Sequence, residues 1–302
     1  MTNRIDYDEF GMFAENIAEY GIPVVDVPPV RREVVEVAPG QRVSALVWGT
    51  EDPQVVFVHG TAMNAHTWDT VVLALGLPAV AIDLPGHGHS SWRDDAEYSP
   101  ATLADDIAPA VTALAPKARL VVGMSLGGLT AAILAVRHPE LVRRLLLVDI
   151  TPGTNREKAK AVIDFVNGPQ SFASFDDILA RTIEHNPTRS ERSLRRGILH
   201  NAHQLADGSW SWRYDRRGRA VSHDEDPTAA GRDDLWAVIE RIECPVLLAR
   251  GGSSPVVDDA DVAELQRRSP GAEVVVVPDA GHSIQGDQPL ILAEHIGRFI
   301  DV

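Results

Sequence analysis

Short, uninterrupted apolar runs that alternate with helical stretches most constrain the fold of this chain. The runs occupy residues 55–58, 79–82, 120–122, 145–148, 246–249 and 274–277. Apolar residues at every position, rather than at every second one, are typical of parallel strands covered on both faces. Helical patterns lie between them, at residues 101–114, 126–137, 258–268 and 289–300. The sequence therefore predicts a doubly wound α/β fold with a mostly parallel sheet, and residues 30–48 predict an antiparallel edge hairpin.

This alternation stops between residues 152 and 228, where no strong strand pattern occurs. Three helices are predicted there, near residues 155–166, 174–185 and 190–206. The region also concentrates aromatic residues, namely Phe165, Phe172, Phe175, Trp210, Trp212 and Tyr214. An insertion after a strand's carboxyl end lies over the ligand crevice of an open α/β sheet, so we interpret this region as a helical cap. The alternative is a second packing layer with no role in binding.

The predicted domain organisation is therefore a core over residues 1–151 and 229–302, with the cap over residues 152–228. Within an N-terminal extension over residues 1–25, apolar residues recur three to four apart, at Phe10, Phe13, Ile17 and Tyr20. This spacing predicts a short amphipathic helix over residues 7–20. The sequence leaves open whether that helix packs on the core, extends the cap or binds a partner.

Composition excludes several classes of protein. The 302 residues carry a formal net charge of −15, which disfavours binding to nucleic acids and to anionic membranes. A group of arginines, namely Arg189, Arg192, Arg195 and Arg196, falls at helical spacing and is interpreted as a solvated helix face. Cys244 is the single cysteine, so no internal disulfide can form. With no apolar signal segment and no membrane-length apolar run, we expect a cytoplasmic protein.

The strongest chemical motif is Gly-Met-Ser-Leu-Gly at residues 123–127. It follows a strand directly and precedes a helix directly, which is the context a nucleophilic serine requires. Ser125 would sit on a strained turn that lifts its hydroxyl above the sheet, and glycine at positions 123 and 127 would leave room for that turn. The N-terminus of the following helix favours negative charge at this point. Ser125 is therefore the predicted nucleophile.

These residues resemble the α/β-hydrolase superfamily, and the resemblance covers nearly the whole chain. His59-Gly60-Thr61, the segment 83–90 (DLPGHGHS) and the segment 279–282 (DAGH) also match. The segments 148–152 (VDITP) and 251–255 (GGSSP) look like the small carboxylesterase and acyl-hydrolase branch that carries a helical cap. The resemblance implies an enzyme with a Ser-acid-His triad.

A serine nucleophile needs an adjacent base, and the resemblance places that base at His282. His87 and His89 are interpreted as turn packing. Together with His59, either one could mimic a metal cluster, but no further ligand has suitable spacing, so no metal is expected.

The acid is the least direct assignment, because Ser254 fills the turn position where many relatives carry aspartate. Serine cannot stabilise an imidazolium as a carboxylate does. Asp149, after the strand that follows the Ser125 helix, is the preferred acid, since some branches of the superfamily carry it there. Asp258 and Asp259 are the alternatives, although both also suit a helix N-terminus.

The oxyanion hole is predicted at two backbone N–H groups, those of Leu126 and Thr61. The side chains predicted to line the substrate pocket are Met63, Trp68, Met124, Phe165, Phe172 and Trp210. Asn64, His66, His200, Asn201 and His203 are weaker candidates. Cys244 is interpreted as a buried structural thiol.

The predicted function is hydrolysis of a carboxylic ester, a lactone or a thioester through an acyl-enzyme, with no cofactor. Such a triad also hydrolyses carbon–carbon bonds of vinylogous diketones in capped relatives. A third alternative is a small-molecule receptor on the same fold, because the fold alone does not determine the function. The sequence does not identify the natural substrate or the oligomeric state.

Overall fold

The computed structural model describes residues 5–23, 26–217 and 229–301, and no side chains within residues 229–233. Its main sheet has eight strands in the order β1-β2-β4-β3-β5-β6-β10-β11. The strands are β1 (Val30–Ala38), β2 (Gln41–Trp48), β3 (Val55–Val58), β4 (Ala79–Ile82), β5 (Leu120–Met124), β6 (Leu145–Val148), β10 (Val246–Gly251) and β11 (Glu273–Val277). Strands β1 and β2 form the predicted edge hairpin, and every pairing from β4 to β11 is parallel. The predicted fold class is thus confirmed.

The continuous apolar runs reflect two hydrophobic cores, one on each face of the sheet. Along β3, Val56 and Val58 belong to one core, whereas Val55 and Phe57 belong to the other. Successive side chains of a strand point to opposite faces, so a strand buried on both sides must be apolar throughout.

Helices cover both faces of this sheet. They are α1 (Phe13–Tyr20), α2 (Asp69–Leu75), α3 (Pro100–Leu114), α4 (Leu126–Arg137), α8 (Ala229–Glu240), α9 (Asp259–Arg268), α10 (Ile284–Asp287) and α11 (Pro289–Asp301). A 3₁₀ helix at Ala65–Trp68 leads into α2. Within the described part of the chain, no helix is both long enough and apolar enough to span a membrane.

The region after β6 contains three helices, α5 (Lys160–Val166), α6 (Phe175–His185) and α7 (Glu191–Asn201). It also holds a small antiparallel sheet in the order β7 (Ser171–Phe172), β9 (Trp210–Trp212), β8 (Ala202–Gln204). The predicted helix near residues 190–206 ends at Asn201, so its C-terminal bound was wrong, and three short strands lie where the sequence predicted no strong strand. An Asp-Gly turn at residues 207–208, with Gly208 at φ 92°, joins β8 to β9, and such a dipeptide is a hairpin signal.

The predicted cap over residues 152–228 remains a proposal, and its residues 218–228 lie outside the described ranges. Residues 1–4 and 24–25 of the N-terminal extension also lie outside them. The arginine group was wrongly interpreted as a solvated face. Arg192 and Arg195 are exposed, but Arg196 is buried and pairs with Glu19 of α1.

Helix α1 is shorter than the predicted 7–20, and it contacts both the core and α7. Phe13 packs on Trp48 with ring centroids 4.7 Å apart, while Glu15 lies 3.5 Å from Arg196 of α7. The N-terminal helix therefore links the main sheet to the region of the predicted cap.

Candidate active site

Ser125 lies in a tight turn between β5 and α4. Its backbone has φ 53° and ψ −121°, a conformation that costs a non-glycine residue energy and clusters at functional sites. A side chain at Gly123 would come within 2.4 Å of the Gly127 carbonyl oxygen, and one at Gly127 within 2.4 Å of the His59 carbonyl oxygen. Both glycines are therefore required by backbone contact.

Asp149 directly follows β6 and is fully buried, with its backbone at φ 48°. Its Oδ1 accepts a hydrogen bond from the Gly251 N–H at 2.9 Å. Its Oδ2 accepts a short hydrogen bond from the Ser254 hydroxyl and lies 2.9 Å from His282 Nδ1. The end of β10 and the turn that follows it thus hold the Asp149 carboxylate beside the imidazole.

Ser254, which occupies the position of the missing aspartate, is therefore a donor to the acid on the neighbouring strand. Its Oγ also accepts from the Val256 N–H at 3.1 Å. Because this hydroxyl accepts from the Val256 N–H, its own proton is free to point at Asp149.

His282 lies in the loop between β11 and α10. The neighbouring Gly281 N–H donates to Asp287 Oδ2 at 2.8 Å, and the Ser253 N–H donates to the Ala280 carbonyl at 2.9 Å. These contacts attach the histidine loop to α10 and to the turn that follows β10.

The alternative acids lie elsewhere. Asp258 caps the N-terminus of α9 in a capping box with Asp261 and lies 2.9 Å from Lys158 Nζ. Asp259 is exposed and pairs with Arg250 at 2.5 Å. The carboxylate that faces His282 Nδ1 is that of Asp149, so helix capping and surface pairing account for Asp258 and Asp259.

The loop after β3 carries Thr61 and faces the serine. A Cβ at Gly60 would lie 3.1 Å from Ser125 Cβ and 2.5 Å from Met124 Sδ. His59 is fully buried, and its Nε2 accepts from the Leu84 N–H at 2.9 Å. Burial lowers the pKa of His59, partly offset by the Asp83 charge and by the Gly60 carbonyl, so the ring is neutral. Its Nδ1–H then donates to the Gly60 carbonyl at 2.7 Å.

That hydrogen bond sets the orientation of the next peptide. In a planar trans peptide the carbonyl and the following N–H point in opposite directions. With the Gly60 carbonyl drawn to the His59 ring, the Thr61 N–H points away from the ring.

The second predicted oxyanion-hole donor is the Leu126 N–H. Leu126 is the first residue of α4, and the first N–H groups of a helix have no partner within the helix.

A cavity of about 150 Å³ lies beside this site, and we call it the cap cavity. Its wall joins the loop segments next to Thr61 and His282 to α1, α5 and α7. Representative lining residues are Ala62, Met63, Phe165, His200, Asn201 and Ser283. Many lining side chains are polar, so this is not a simple apolar acyl pocket.

Several predicted pocket residues are placed in packing instead. Trp68 is fully buried against Phe57 with ring centroids 5.0 Å apart, and Met124 is buried behind Gly60. Phe172 and Trp210 pair with each other in the small antiparallel sheet. Of the six predictions, only Met63 and Phe165 line the cap cavity. The other four lie outside this cavity, and an apolar residue near a motif is more often part of the core than of a pocket wall.

Among the weaker candidates, Asn64, His66, His200 and Asn201 line the cap cavity, whereas His203 lines a separate surface pocket. Asn201 Nδ2 donates to the Ala62 carbonyl at 2.6 Å, and Asn64 donates to Asn201 at 3.1 Å. These bonds connect α7 to the loop that follows Thr61.

A cluster of His66, Asp69 and His200 in the cavity wall was not predicted. His66 Nδ1 lies 2.9 Å from Asp69 Oδ2, and the two imidazoles stack at 3.7 Å. Burial disfavours a charged imidazole, yet the Asp69 charge and the hydrogen bonds to Asp69 and Glu9 raise the pKa of His66 to about 9. Burial, together with the neighbouring positive groups, lowers the pKa of His200. The spacing His-x-x-Asp on one helical turn was the available sequence signal for the first two residues.

Cys244 is half-buried, and burial raises the pKa of its thiol to about 11. The thiolate is the reactive form of cysteine, so this group is unreactive at neutral pH.

Residues 53–289 match the family model for the alpha/beta hydrolase fold. The chain belongs to the α/β hydrolase fold family. It is 44% identical over 303 residues to the esterase Rv0045c of Mycobacterium tuberculosis, covering 97% of this chain and 96% of that protein. It is 32% identical to the 2-(acetamidomethylene)succinate hydrolase of Mesorhizobium japonicum, covering 82% and 88%.

Solved structures agree with this assignment. A structure of the M. tuberculosis esterase Rv0045c, from work on its transition metal inhibition and structural refinement, superposes with a TM-score of 0.85. The two sequences are 42% identical there, over 99% of this chain and 100% of the other. The structure of the 2-(acetamidomethylene)succinate hydrolase superposes with a TM-score of 0.79 at 28% identity, over 91% and 100%.

Proposed function

We propose that this chain is a serine hydrolase that cleaves carboxylic esters through an acyl-enzyme intermediate. The observation that carries the proposal is the chain of contacts from Ser254 and Gly251 to Asp149 and from Asp149 to His282, at the sheet edge that also carries the Ser125 turn. The likeness to the mycobacterial esterase over nearly the whole chain supports ester hydrolysis.

In this mechanism, His282 Nδ1–H donates to Asp149, which leaves Nε2 as the base. Nε2 takes the proton from the Ser125 hydroxyl as Oγ attacks the ester carbonyl carbon. Asp149 keeps the imidazole in the required tautomer and stabilises the imidazolium. The imidazolium then protonates the departing alkoxide, and the C–O bond to the alcohol breaks.

Negative charge develops on the carbonyl oxygen when the tetrahedral intermediate forms. We assign its stabilisation to the Thr61 and Leu126 N–H groups, aided by the N-terminal end of α4. His59 orients the Thr61 peptide through the Gly60 carbonyl, so it is a positioning residue. Water, activated by the same histidine, then attacks the acyl-enzyme and releases the acid.

The cap cavity is the proposed site for the part of the substrate that extends from the ester. It borders the Thr61 loop through Ala62 and Met63 and the histidine loop through Ser283. Its polar wall favours a small ester with polar substituents over a long unbranched acyl chain. We also propose that residues 152–228 form a cap on the core, and that the protein is cytoplasmic.

Labelling with a fluorophosphonate probe, followed by hydrolysis of aryl esters of increasing chain length, tests the proposal. Wild-type protein should be labelled once and should hydrolyse the short esters. Ser125→Ala should not be labelled, and its kcat should be about 10⁶-fold lower, while its melting temperature should stay the same. Thr130→Ser, in the same helix but outside the site, is the matched control. Activity of Ser125→Ala within tenfold of wild type would overturn the assignment, and labelling without turnover would favour a receptor role.

A further inference from the structure

The wall of the cap cavity contains a cluster whose atoms are arranged as metal ligands. His66, Asp69 and His200 each offer one ligand atom, and these atoms lie within 4.8 Å of one another. All three residues are buried, and all three line the cavity. Two imidazoles and one carboxylate are a ligand set that first-row transition metals accept.

One carboxylate oxygen of the cluster has no partner within the described residues. Asp69 Oδ1 is buried and accepts no hydrogen bond, although its sister atom Oδ2 faces His66 Nδ1 at 2.9 Å. Leaving a buried carboxylate oxygen unsatisfied is costly, so such a group calls for an explanation. A cation that reaches the cluster through the cavity would satisfy it.

Outer contacts determine which ring nitrogen of each imidazole faces Asp69. His66 Nε2 lies 3.1 Å from Glu9 Oε1, and His200 Nδ1 lies 2.8 Å from the Tyr7 hydroxyl. Metal-binding histidines usually donate their second ring N–H to a carboxylate or another oxygen, which fixes the tautomer. Here these contacts leave His66 Nδ1 and His200 Nε2 on the side of Asp69, and His200 Nε2 is 3.8 Å from Asp69 Oδ2.

We propose that His66, Asp69 and His200 form a binding site for a divalent first-row transition metal ion such as Zn²⁺. The metal replaces the proton between His66 Nδ1 and Asp69, and that proton is released to solvent. In this structure the two rings are parallel, with 10° between their planes. Ligation therefore requires the rings to tilt apart, so that both nitrogen lone pairs converge on the ion. Water from the cavity fills the fourth position.

This site joins two parts of the molecule. His66 belongs to the 3₁₀ helix and Asp69 begins α2, whereas His200 belongs to α7, which packs on the 3₁₀ helix. The outer partners Tyr7 and Glu9 come from the N-terminal segment. A bound ion therefore crosslinks the region of the predicted cap to the core.

Direct binding measurements test the site without reference to hydrolysis. Full-length protein, freed of metal by dialysis against a chelator, is titrated with Zn²⁺ in a calorimeter and with Co²⁺ while its visible absorption is recorded. We expect one ion per chain and a Co²⁺ spectrum with nitrogen and oxygen ligands. Mg²⁺ should not compete, because it prefers an all-oxygen shell.

Substitutions then locate the ion. His200→Gln and Asp69→Asn should each weaken Zn²⁺ binding by about 100-fold or more, and Tyr7→Phe, which leaves all three ligands, by about 10-fold. His138→Gln is the matched control, since His138 also pairs with a carboxylate, that of Glu140 at 3.6 Å. His282→Gln tests whether the candidate catalytic histidine holds the ion instead.

Unchanged binding in His282→Gln and His138→Gln, with the losses above, supports the site. Absence of Zn²⁺ binding to the wild-type protein overturns it, as does wild-type affinity in His200→Gln. Loss of binding only in His282→Gln assigns the ion to the catalytic site and equally overturns it. Circular dichroism of each variant, with Tyr7→Phe as the mildest change, separates lost ligation from lost folding.

Discussion

The edge of the main sheet and the cap cavity meet within a few residues of each other but are built in different ways. At the sheet edge, Ser125 and Asp149 come one residue after the paired positions Met124 and Val148, and His282 lies in the loop that follows β11. Around the cavity, the wall combines α1, the 3₁₀ helix, α5 and α7 with loop residues. The first arrangement depends on backbone register and the second on side chains distant in sequence.

This difference has a physical consequence for robustness. The sheet edge is held by backbone hydrogen bonds and by glycines that no other residue can replace, so few side-chain changes alter its geometry. The cavity wall is held by polar side chains that depend on one another, such as buried His66 and Asp69 with half-buried Glu9. Removing one member of such a network leaves the others unsatisfied. Catalysis and cap architecture should therefore respond to different substitutions.

The largest expected effect is at the acid. Asp149→Asn should lower kcat by about 10³–10⁴-fold with little change in KM, because the amide cannot stabilise the His282 imidazolium. Steady-state kinetics on a short aryl ester measure this. The matched control is Asp258→Asn, which should leave kcat unchanged and lower the free energy of unfolding by less than about 1 kcal/mol, because asparagine caps a helix about as well as aspartate. Near wild-type kcat in Asp149→Asn would mean that another group is the acid.

The second comparison separates the two kinds of aromatic residue in the predicted cap. Trp210 is buried and contacts Phe175 at 5.1 Å between ring centroids, so Trp210→Ala should lower the free energy of unfolding by about 3–5 kcal/mol. Phe165 lines the cavity, so Phe165→Ala should instead change the ester chain-length preference. Urea denaturation and a kcat/KM series measure the two effects. An unchanged preference in Phe165→Ala would leave the cavity wall without a role in substrate choice.

A smaller effect is expected at His59, which acts through the Gly60 carbonyl. His59→Leu should lower kcat by about 10–100-fold and leave KM nearly unchanged, a smaller loss than removal of an oxyanion donor itself. His59→Gln keeps one acceptor and one donor and should recover part of the loss, as measured by the same kinetics. Equal losses in both variants, or a change confined to KM, would contradict the positioning role.

Sequence patterns could predict the sheet edge because each element there is coded locally. The strand before Ser125, the glycines at 123 and 127 and the strand end at Asp149 are all visible within a few residues. Ser254 was visible as an anomaly, but its role as a donor to Asp149 needed the distance between adjacent strands.

The cavity wall could not be predicted in this way. His200 meets His66 only because α7 folds over the 3₁₀ helix, and no local period reports that contact. The small sheet formed by β7, β8 and β9 was missed because its strands are two or three residues long, too short for an alternating pattern.

The smallest expected effect concerns pH and the buried network around His66. Its pKa is raised from 6.5 to about 9 in the folded protein, against burial, by Asp69 and by hydrogen bonds to Asp69 and Glu9. A group that binds its proton more tightly when folded stabilises the fold below its unfolded pKa and loses that effect as pH rises through its folded pKa. The free energy of unfolding should therefore decline between pH 6.5 and pH 9, by an amount on the order of 1–3 kcal/mol.

Glu9 and His200, which contact His66, do not titrate in this pH window. Glu9 has its pKa lowered to about 2, so its contribution changes only in acid, well below this window. The pKa of His200 is lowered, so His200 remains neutral throughout. In metal-free protein, urea denaturation at pH 6, 7.5 and 9 should show a steeper fall for wild type than for His66→Gln, whose side chain does not titrate. Parallel curves for the two proteins would show that His66 holds no extra proton in the folded state, and the hydrogen bond to Asp69 would then contribute equally at every pH.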